Sequence, residues 1–311
     1  EIVSYDAGSV EIYGGDGDDF VLAGIDTDFI DGGAGNDDIS AYGGQDTIYG
    51  GTGDDLLDGM GDADTIFGGS GNDRIFGGGD NDTIFVDENS GNDTIGGGET
   101  GNDNDTLDFG LTSDPNGVDI TFTGDESGDY TVGGTAATGT FTEIENFVLT
   151  NQDDTVDATN DTFGVTFDGL EGNDSITGGS GSDTLYGGKG SDSLYGGAGD
   201  DLINGGTEND LLSGGDGNDS IYVGDNGDTV SGGTGDDIVY FAHPQDDYLF
   251  ARNSAAQIEV FWNTEGWIGN DMQSWTSQGE IFRDQIVEVE TFAFPLPGGG
   301  SIVIDQTEAL V

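Results

Sequence analysis

The stretch "GGAGNDDISAYGGQDTIYGGTGDDLLDGMGDADTIFGGSGNDRIF", residues 32–76, repeats with a period of nine residues. In each of its five units the sixth residue is Asp and the eighth is Ile or Leu. The first, third and fifth units keep Gly at positions one, two and four, whereas the second and fourth units do not. An acid and an apolar residue at fixed places in a short period predict a solenoid of stacked turns.

The same nine-residue frame covers two blocks of eight units, Gly14–Phe85 and Gly169–Tyr240. Position six is Asp and position eight is Val, Ile or Leu in all sixteen units. Gly at positions one, two and four permits positive φ and a tight turn with converging carbonyls. Carbonyl and carboxylate oxygens suit Ca²⁺, which takes about 6 to 8 of them. The last three residues of each unit are predicted as a short strand with an inward middle side chain, so units must stack to bury it.

These units resemble the RTX, or hemolysin-type calcium-binding, repeat family through the pattern GGxGxDxUx, as in "GGTGDDLLD" at 50–58. The resemblance implies a parallel β-roll in which two units make one coil and Ca²⁺ lies between turns stacked 18 residues apart. It also implies that extracellular calcium triggers folding and that the type I secretion machinery exports the chain.

Such a coil places alternate turns on two edges. We call the edge with glycine-complete turns the intact edge and the other the divergent edge. The position-six ligands predicted on the intact edges are Asp19, Asp37, Asp55, Asp73, Asp183, Asp201, Asp219 and Asp237. Those predicted on the divergent edges are Asp28, Asp46, Asp64, Asp82, Asp174, Asp192, Asp210 and Asp228. The predicted backbone carbonyl ligands belong to Gly14, Gly32, Gly50, Gly68, Gly178, Gly196, Gly214 and Gly232. We expect one well-formed calcium ladder in each roll.

On the divergent edges, position four changes to Asp26, Asp62, Asp80, Glu208 or Asn226. Asp and Asn tolerate left-handed backbone better than other non-glycine residues, so the turns are expected to survive with an extra acid. Two interpretations stay open: drift on an edge that binds metal poorly, and a second class of calcium site. Four stacked turns leave three gaps on each edge, so the two rolls offer roughly 6 to 12 calcium ions.

Composition limits the partners. The 311 residues include 64 acidic and 4 basic residues, for a formal charge of -60, and no Cys. Such a charge opposes a compact state unless cations neutralise it. Four basic residues cannot form a phosphate-binding surface, so nucleic acid is excluded as a partner. No apolar run has membrane-spanning length. Because residue 1 is Glu, we expect a processed form or a piece of a longer chain.

The predicted fold is all-β: two parallel β-roll (RTX solenoid) blocks with an irregular β linker segment and a β-rich C-terminal cap. The first roll with an N-terminal cap strand takes residues 1–96, and the linker, with alternating strands such as "VDITFTG", takes 97–168. The second roll takes 169–240 and an aromatic-rich cap takes 241–311. The cap covers the open apolar end of a strand stack. Alternatively, Trp262, Trp267 and Trp275 form a sugar-binding face.

Position nine points outward and is often aromatic. Tyr49, Phe67 and Phe85 are 18 residues apart and are predicted to stack on one face. The equivalent residues of the second block are Tyr186, Tyr222 and Tyr240. These rows are interpreted either as stacking within the chain or as a contact with a neighbouring chain.

Catalysis is not expected. His243 is the one histidine, so no HExxH zinc motif exists, and no GxSxG motif occurs. The match of "GGGETG" at 96–101 to GxGxxG is uninformative in so glycine-rich a chain. We therefore expect a secreted, calcium-dependent structural or adhesive module of a bacterial surface or matrix protein, with copies of itself or a cell-surface glycan as partner. The alternative is the C-terminal secretion and folding module of a larger type I-secreted enzyme or toxin.

Overall fold

The computed structural model describes residues 2–3, 8–87, 89–98, 103–134 and 137–241, and the backbone of strands 248–252, 258–263, 281–287, 291–295 and 301–305. Every regular element in these residues is a β-strand, which confirms the all-β prediction. This part of the chain accordingly contains no helix long and apolar enough to cross a membrane. The chain forms two compact units, Glu1–Asp168 and Gly169–Val311.

The first unit contains eighteen strands. They are β1 (Ile2–Val3), β2 (Glu11–Asp16), β3 (Phe20–Leu22), β4 (Phe29–Ala34), β5 (Asp38–Ser40), β6 (Thr47–Thr52), β7 (Leu56–Gly61), β8 (Thr65–Ser70), β9 (Arg74–Gly79), β10 (Thr83–Phe85), β11 (Asn92–Gly98), β12 (Thr106–Asp108), β13 (Val118–Gly124), β14 (Ser127–Val132), β15 (Ala137–Thr142), β16 (Asn146–Val148), β17 (Thr155–Asp157) and β18 (Thr166–Asp168). Strands such as β4 are longer than the predicted three residues, because the first positions of the next unit continue the pairing.

These strands alternate between two parallel sheets. In one sheet, β1, β3, β5, β7, β9 and β11 pair in that order. In the other, β2, β4, β6, β8, β10, β12, β16 and β18 pair in that order. Within the repeats, each strand pairs with the strand one coil later, as Ile30 pairs with Ile48 and Ile48 with Ile66. The predicted parallel β-roll with two units per coil is confirmed.

The segment 97–168 contributes to both sheets of the first unit. β12 and β16 continue one sheet in parallel register. In the other sheet, β15 pairs in parallel with β11, and β15, β14 and β13 then form an antiparallel meander. β17 resumes parallel pairing on β13. The segment predicted as a linker thus adds an antiparallel insertion, β13 to β15, to one sheet of the roll. The division of the chain into four domains stays a prediction.

The second unit has the same alternation. Its strands are β19 (Ser175–Thr177), β20 (Thr184–Lys189), β21 (Ser193–Ala198), β22 (Leu202–Thr207), β23 (Leu211–Asp216), β24 (Ser220–Tyr222), β25 (Thr229–Thr234), β26 (Ile238–Tyr240), β27 (Tyr248–Arg252), β28 (Ile258–Asn263), β29 (Ile281–Val287), β30 (Thr291–Pro295) and β31 (Ser301–Asp305). Beyond Tyr240, β29 pairs with β25 and β30 pairs with β26, so strands of the predicted cap extend both sheets. Trp262 is in β28, whereas Trp267, Trp275 and His243 lie outside the described residues.

The core of each unit is a column of position-eight side chains. All sixteen are buried, from Val21 at 0% exposed to Ile75 at 1% and Val239 at 0%, as predicted. In the first unit, the segment that follows the repeat block adds a phenylalanine cluster to the core, in which Phe122 makes edge contacts with Phe141 and Phe147. The repeat frame does not predict this cluster because it ends at Phe85.

The outward aromatic residues on one sheet of the first unit, the sheet of β2, β4, β6, β8 and β10, form a continuous row. The rings of Tyr49, Phe67 and Phe85 stack with centroids 4.5 Å apart and planes within 5° of parallel. Tyr13 and Phe29 extend the row, with the Phe29 and Tyr49 centroids 5.6 Å apart. The predicted stacking within this row is confirmed.

The second unit has a shorter outward row. The rings of Tyr222 and Tyr240 stack with centroids 4.4 Å apart. The register places Asn204 between Tyr186 and Tyr222, so Tyr186 does not continue that stack.

Candidate metal centre

Each turn directs its position-six carboxylate into the roll. Asp19, in the first unit of the frame, is half-buried. The other fifteen are buried on both kinds of edge: Asp28, Asp37, Asp46, Asp55, Asp64, Asp73, Asp82, Asp174, Asp183, Asp192, Asp201, Asp210, Asp219, Asp228 and Asp237. The predicted site residues therefore form ladders inside the turns rather than a solvated acidic surface.

One oxygen of each carboxylate links neighbouring coils. On the intact edge, Asp37 N–H donates to Oδ1 of Asp55 at 2.8 Å, and Asp55 N–H donates to Oδ1 of Asp73 at 2.9 Å. On the divergent edge, Asp46 N–H donates to Oδ1 of Asp64 at 2.8 Å. Hydrogen bonds to a charged acceptor are stronger than neutral ones, so these bonds fix the register between neighbouring coils.

The other oxygen has no donor in many units. Oδ2 is buried without a hydrogen-bond partner in Asp19, Asp37, Asp46, Asp55, Asp64, Asp73, Asp82, Asp201, Asp210 and Asp219. In two units a backbone N–H satisfies it: Gly24 N–H donates to Asp28 at 3.0 Å and Gly179 N–H to Asp183 at 2.8 Å. Burying an unpaired carboxylate oxygen is costly, so these oxygens require a cation or a proton.

The predicted carbonyl and carboxylate ligands meet at position one. A Cβ on Gly50 would lie 2.6 Å from Asp55 Oδ2 and 2.5 Å from the carbonyl oxygen of Gly68, one coil later. The carbonyls of Gly32, Gly50, Gly68, Gly196, Gly214 and Gly232 face the preceding position-one glycine in this way. Gly14 and Gly178 are the first position-one glycines of their ladders, so no preceding glycine faces their carbonyls. Their role as ligands stays a prediction.

The same convergence occurs on the divergent edge of the second unit. A Cβ on Gly169 would lie 2.5 Å both from Asp174 Oδ2 and from the carbonyl oxygen of Gly187. A carboxylate of one coil and a carbonyl of the next therefore approach each other on both kinds of edge.

This arrangement fits an oxygen-seeking cation. In the part of the chain that the structure describes, no three acidic side chains surround a common point. Each turn supplies one buried carboxylate, so main-chain carbonyls must provide most ligands, and calcium accepts such mixed oxygen sets. The feature that indicates a bound ion is an Oδ2 atom that has no hydrogen-bond donor and lies close to a main-chain carbonyl oxygen. Which oxygens bind calcium stays a prediction.

Burial raises the pKa of these carboxyls. On the intact edge the pKa of Asp55 rises to about 6 and that of Asp73 to about 7, mainly through burial. On the divergent edge the pKa of Asp46 rises to about 7 and that of Asp64 to about 8, for the same reason. Backbone N–H donors lower these values in part, and neighbouring carboxylates raise them further. Protons therefore compete with a cation near neutral pH.

The divergent turns keep left-handed backbone at several substituted positions. At position four, φ is 68° for Asp62, 70° for Asp80, 85° for Glu208 and 84° for Asn226, as predicted. Asp26 has no positive φ, yet its turn survives as expected, because the Gly24 N–H bond to Asp28 closes it. Position two is also left-handed at Tyr42, Met60 and Leu170.

Position five carries an exposed ladder that the sequence analysis missed. Asp54 N–H donates to Asn36 Oδ1 at 3.0 Å, and Asn72 N–H donates to Asp54 Oδ1 at 2.8 Å. Asp236 N–H donates to Asn218 Oδ1 at 3.0 Å in the second unit. The signal is the run of Asp, Asn or Ser at position five of every intact turn. Amides between acids reduce repulsion along this ladder.

Two further aspartates extend the position-six ladders of the first unit. Asp73 N–H donates to Asp93 Oδ1 at 2.9 Å, and Asp82 N–H donates to Asp105 Oδ1 at 2.8 Å. Their spacings are 20 and 23 residues, so the nine-residue frame does not reach them. The remaining signals are "SGNDTI" at 90–95 and "GNDNDTL" at 101–107.

The geometry defines a class of protein: a parallel β-roll whose turns present ladders of buried aspartates. The sequence matches the RTX calcium-binding nonapeptide repeat family at 6–30, 22–57, 58–88, 168–203, 195–230 and 204–239, close to half of the chain. The chain therefore belongs to the RTX calcium-binding repeat family, as the repeat pattern predicted. RTX repeats are calcium-binding motifs, so the chain is a calcium-binding β-roll.

Other comparisons add little. No curated protein matches the chain. Among solved structures, the chain is similar to the extracellular lipase LipA from Serratia marcescens, at 14% identity and a TM-score of 0.21. The match covers 92% of this chain and 38% of the lipase chain. A likeness this weak carries no argument about activity.

Proposed function

We propose that this chain is a non-enzymatic, calcium-dependent β-roll that acts as a structural or adhesive part of a secreted bacterial surface or extracellular-matrix protein, and that it associates with copies of itself. The observation that carries the proposal is an uncharged strip on the first unit. Its residues, on β6, β8, β10 and β12, are Thr47, Tyr49, Thr65, Phe67, Thr83, Phe85 and Thr106.

The uncharged strip lies between acids and contrasts with the opposite sheet. Asp31 precedes it in register with Tyr49, and Asp108 follows it in register with Phe85. The opposite sheet also has outward apolar side chains, Phe20, Leu56 and Phe76. There, however, charged residues interrupt the outward rows: Asp38, Asp58 and Arg74. Two copies with a charge of -60 repel each other over most of their surfaces. A contiguous uncharged strip with aromatic rings is the surface on which such copies can meet.

The ring geometry favours a protein partner for the uncharged strip. Both faces of Phe67, and one face each of Tyr49 and Phe85, are occupied by stacking of these rings on one another. Sugars bind aromatic residues through the ring face, whereas the strip offers ring edges and threonine hydroxyls. Edges can contact aromatic and aliphatic side chains of a second chain.

Calcium would couple folding to the extracellular location. Without a cation, the buried carboxylates oppose the roll, so the chain stays unfolded and passes through the type I secretion machinery. Extracellular calcium then binds the folded chain and supplies the missing folding free energy. The orphaned Oδ2 atoms and the family membership support this sequence of events. The absence of Cys and the single histidine favour a non-enzymatic role.

The test is molar mass by light scattering, first in millimolar calcium and then in excess chelator. We expect reversible assemblies only in calcium. Thr65→Glu, at the centre of the uncharged strip, should abolish assembly. Ser40→Glu, on the opposite sheet of the same unit, adds the same charge and should leave assembly intact. A compact wild-type monomer in calcium would reject self-association and favour the alternative, a secretion and folding module of a larger enzyme or toxin.

A further inference from the structure

The intact edge of the first unit has a fifth turn, at residues 89–93. Gly71 N–H donates to the carbonyl of Ser90 at 3.3 Å. Asn92 N–H donates to Asn72 Oδ1 at 3.1 Å, which continues the position-five ladder. Together with the bond from Asp73 N–H to Asp93 Oδ1, these contacts reproduce the links between the repeat turns. Asp93 is therefore the fifth aspartate of this ladder.

Asp93 differs from the four preceding aspartates in its second oxygen. Oδ2 is buried without a donor in Asp19, Asp37, Asp55 and Asp73. Oδ2 of Asp93 instead accepts a hydrogen bond from the hydroxyl of Tyr130 at 3.3 Å. Both side chains are buried, Asp93 at 3% and Tyr130 at 1% exposed. A buried hydroxyl needs a partner as much as the carboxylate does, so this bond satisfies two groups at once.

The register explains how Tyr130 reaches the ladder. Gly139 on β15 is the register partner of Tyr130 on β14 and also of Asp93 on β11. Because Gly139 has no side chain, the Tyr130 ring can cross its strand to reach Asp93. A Cβ on Gly139 would collide with that ring and its hydroxyl. Phe109 packs edge-on against the ring with centroids 5.2 Å apart and fixes its direction.

We infer that Tyr130 closes the calcium ladder of this edge: its hydroxyl donates to Asp93 Oδ2 in place of a cation, so Asp93 binds no calcium. The inference rests on calcium binding by the repeat turns in the proposed function. It also assigns a role to the antiparallel insertion, which supplies Tyr130 and ends the metal-binding part of the edge.

The first variant is Tyr130→Phe, which removes the donor and keeps the ring. Asp93 Oδ2 then loses the donor that the four preceding aspartates lack. We expect equilibrium dialysis to find one more calcium ion per chain than in the wild type. Tyr49→Phe, on the outward row, is the matched control and should not change the number. A Tyr130→Phe chain that folds, by circular dichroism, yet binds the wild-type number of ions overturns the inference.

The second variant, Asp93→Asn, tests the inference even where Tyr130→Phe does not fold. Asn keeps an acceptor for Asp73 N–H, so the number of bound ions should equal the wild-type number. Asp73→Asn, one coil earlier, should lose calcium. Loss of an ion in Asp93→Asn would show that Asp93 is a ligand and would overturn the inference.

The result for the wild-type chain separates this inference from the proposed function. A wild-type chain that binds no calcium contradicts the proposed function as well. If the wild-type chain binds calcium, the ion counts of the variants test this inference whether the chain assembles or stays monomeric.

Discussion

The turns on the two edges of the first unit all end in an aspartate at position six, but the backbone that leads to this aspartate differs between the edges. Asp55 on the intact edge and Asp64 on the divergent edge are both buried, both accept a backbone N–H through Oδ1, and both leave Oδ2 without a donor. The turns that precede them share little sequence: GGTGD against GMGDA. The aspartate ladder therefore does not depend on a glycine-complete turn.

The edges differ in how the backbone turns. On the intact edge, Gly53 and Gly71 have φ of 127° and 141°, a region that side chains rarely adopt. On the divergent edge, Met60 and Asp62 have φ of 75° and 68°, close to the left-handed helical region that other residues can enter. Loss of glycine is thus accompanied by a change of turn geometry. We expect that change to move the carbonyls that a cation would share with the carboxylate.

The largest expected effect comes from breaking the intact turn. Gly53→Ala places a Cβ against the carbonyl of Gly35, because the turns stack directly. Gly17→Ala, in the first turn of the edge, meets nothing within 4 Å and bears only the backbone strain. Overpacking costs about 1–3 kcal/mol, so Gly53→Ala should lower the free energy of unfolding by that much more than Gly17→Ala. Denaturant melts in calcium measure both; equal losses would show that stacking of the turns is loose.

The second comparison is between the carboxylates themselves. Asp55→Ala, on the intact edge, should weaken calcium affinity by about tenfold, or about 1.4 kcal/mol, more than Asp64→Ala on the divergent edge. The reason is the turn geometry, since both carboxylates are buried, accept a backbone N–H through Oδ1 and leave Oδ2 without a donor. Asp201→Ala and Asp192→Ala form the corresponding pair in the second unit. Titration calorimetry measures both pairs, and equal losses would mean that both turns bind calcium alike.

The third comparison uses pH without calcium. The folded pKa values, about 6 for Asp55 and about 8 for Asp64, lie above the unfolded value near 4. Groups with a raised folded pKa contribute stability that is fully present below the unfolded pKa and is lost as pH rises through the folded pKa. In chelator, the melting temperature should therefore fall as pH rises from about 4 towards 8, and no folded state should remain near neutral pH. Melts followed by circular dichroism test this, and a melting temperature that rises with pH over this window would be incompatible with protonated ladders.

The smallest expected effect concerns the outward row of rings. Phe67→Leu removes two stacked contacts, with Tyr49 and Phe85, and should cost about 0.5–1 kcal/mol of unfolding free energy, because Leu keeps part of the cross-strand packing. Phe20→Leu on the opposite sheet is the control, since no ring stacks on Phe20 among the described residues. A loss no larger than in the control would show that the row adds nothing to stability.

The sequence predicts the repeat blocks well because a strict period fixes both the strand register and the side of the sheet to which each side chain points. Position eight is buried, position six turns inward and position nine stacks outward as the period requires. The prediction fails where insertions break the period. Asp93 and Asp105 keep their places in the ladders through backbone pairing, although the chain between coils is longer.

Tyr130 could not be predicted from the sequence. Its contact with Asp93 requires the antiparallel pairing of β14 with β15 and the parallel pairing of β15 with β11. Both pairings join residues far apart in the chain, and no local pattern encodes them. The left-handed backbone expected at Asp26 is missing for a different reason: a nearby backbone donor, Gly24, closes the turn in a way that the glycine pattern does not reveal.

The most direct test of calcium-coupled folding is far-UV circular dichroism of the purified chain at neutral pH, titrated with calcium from excess chelator. We predict a disordered spectrum in chelator and a cooperative change to a β spectrum as calcium is added, reversed by renewed chelation. A β spectrum that is the same in chelator and in calcium would contradict the account, because the buried aspartate ladders would then be stable without a cation.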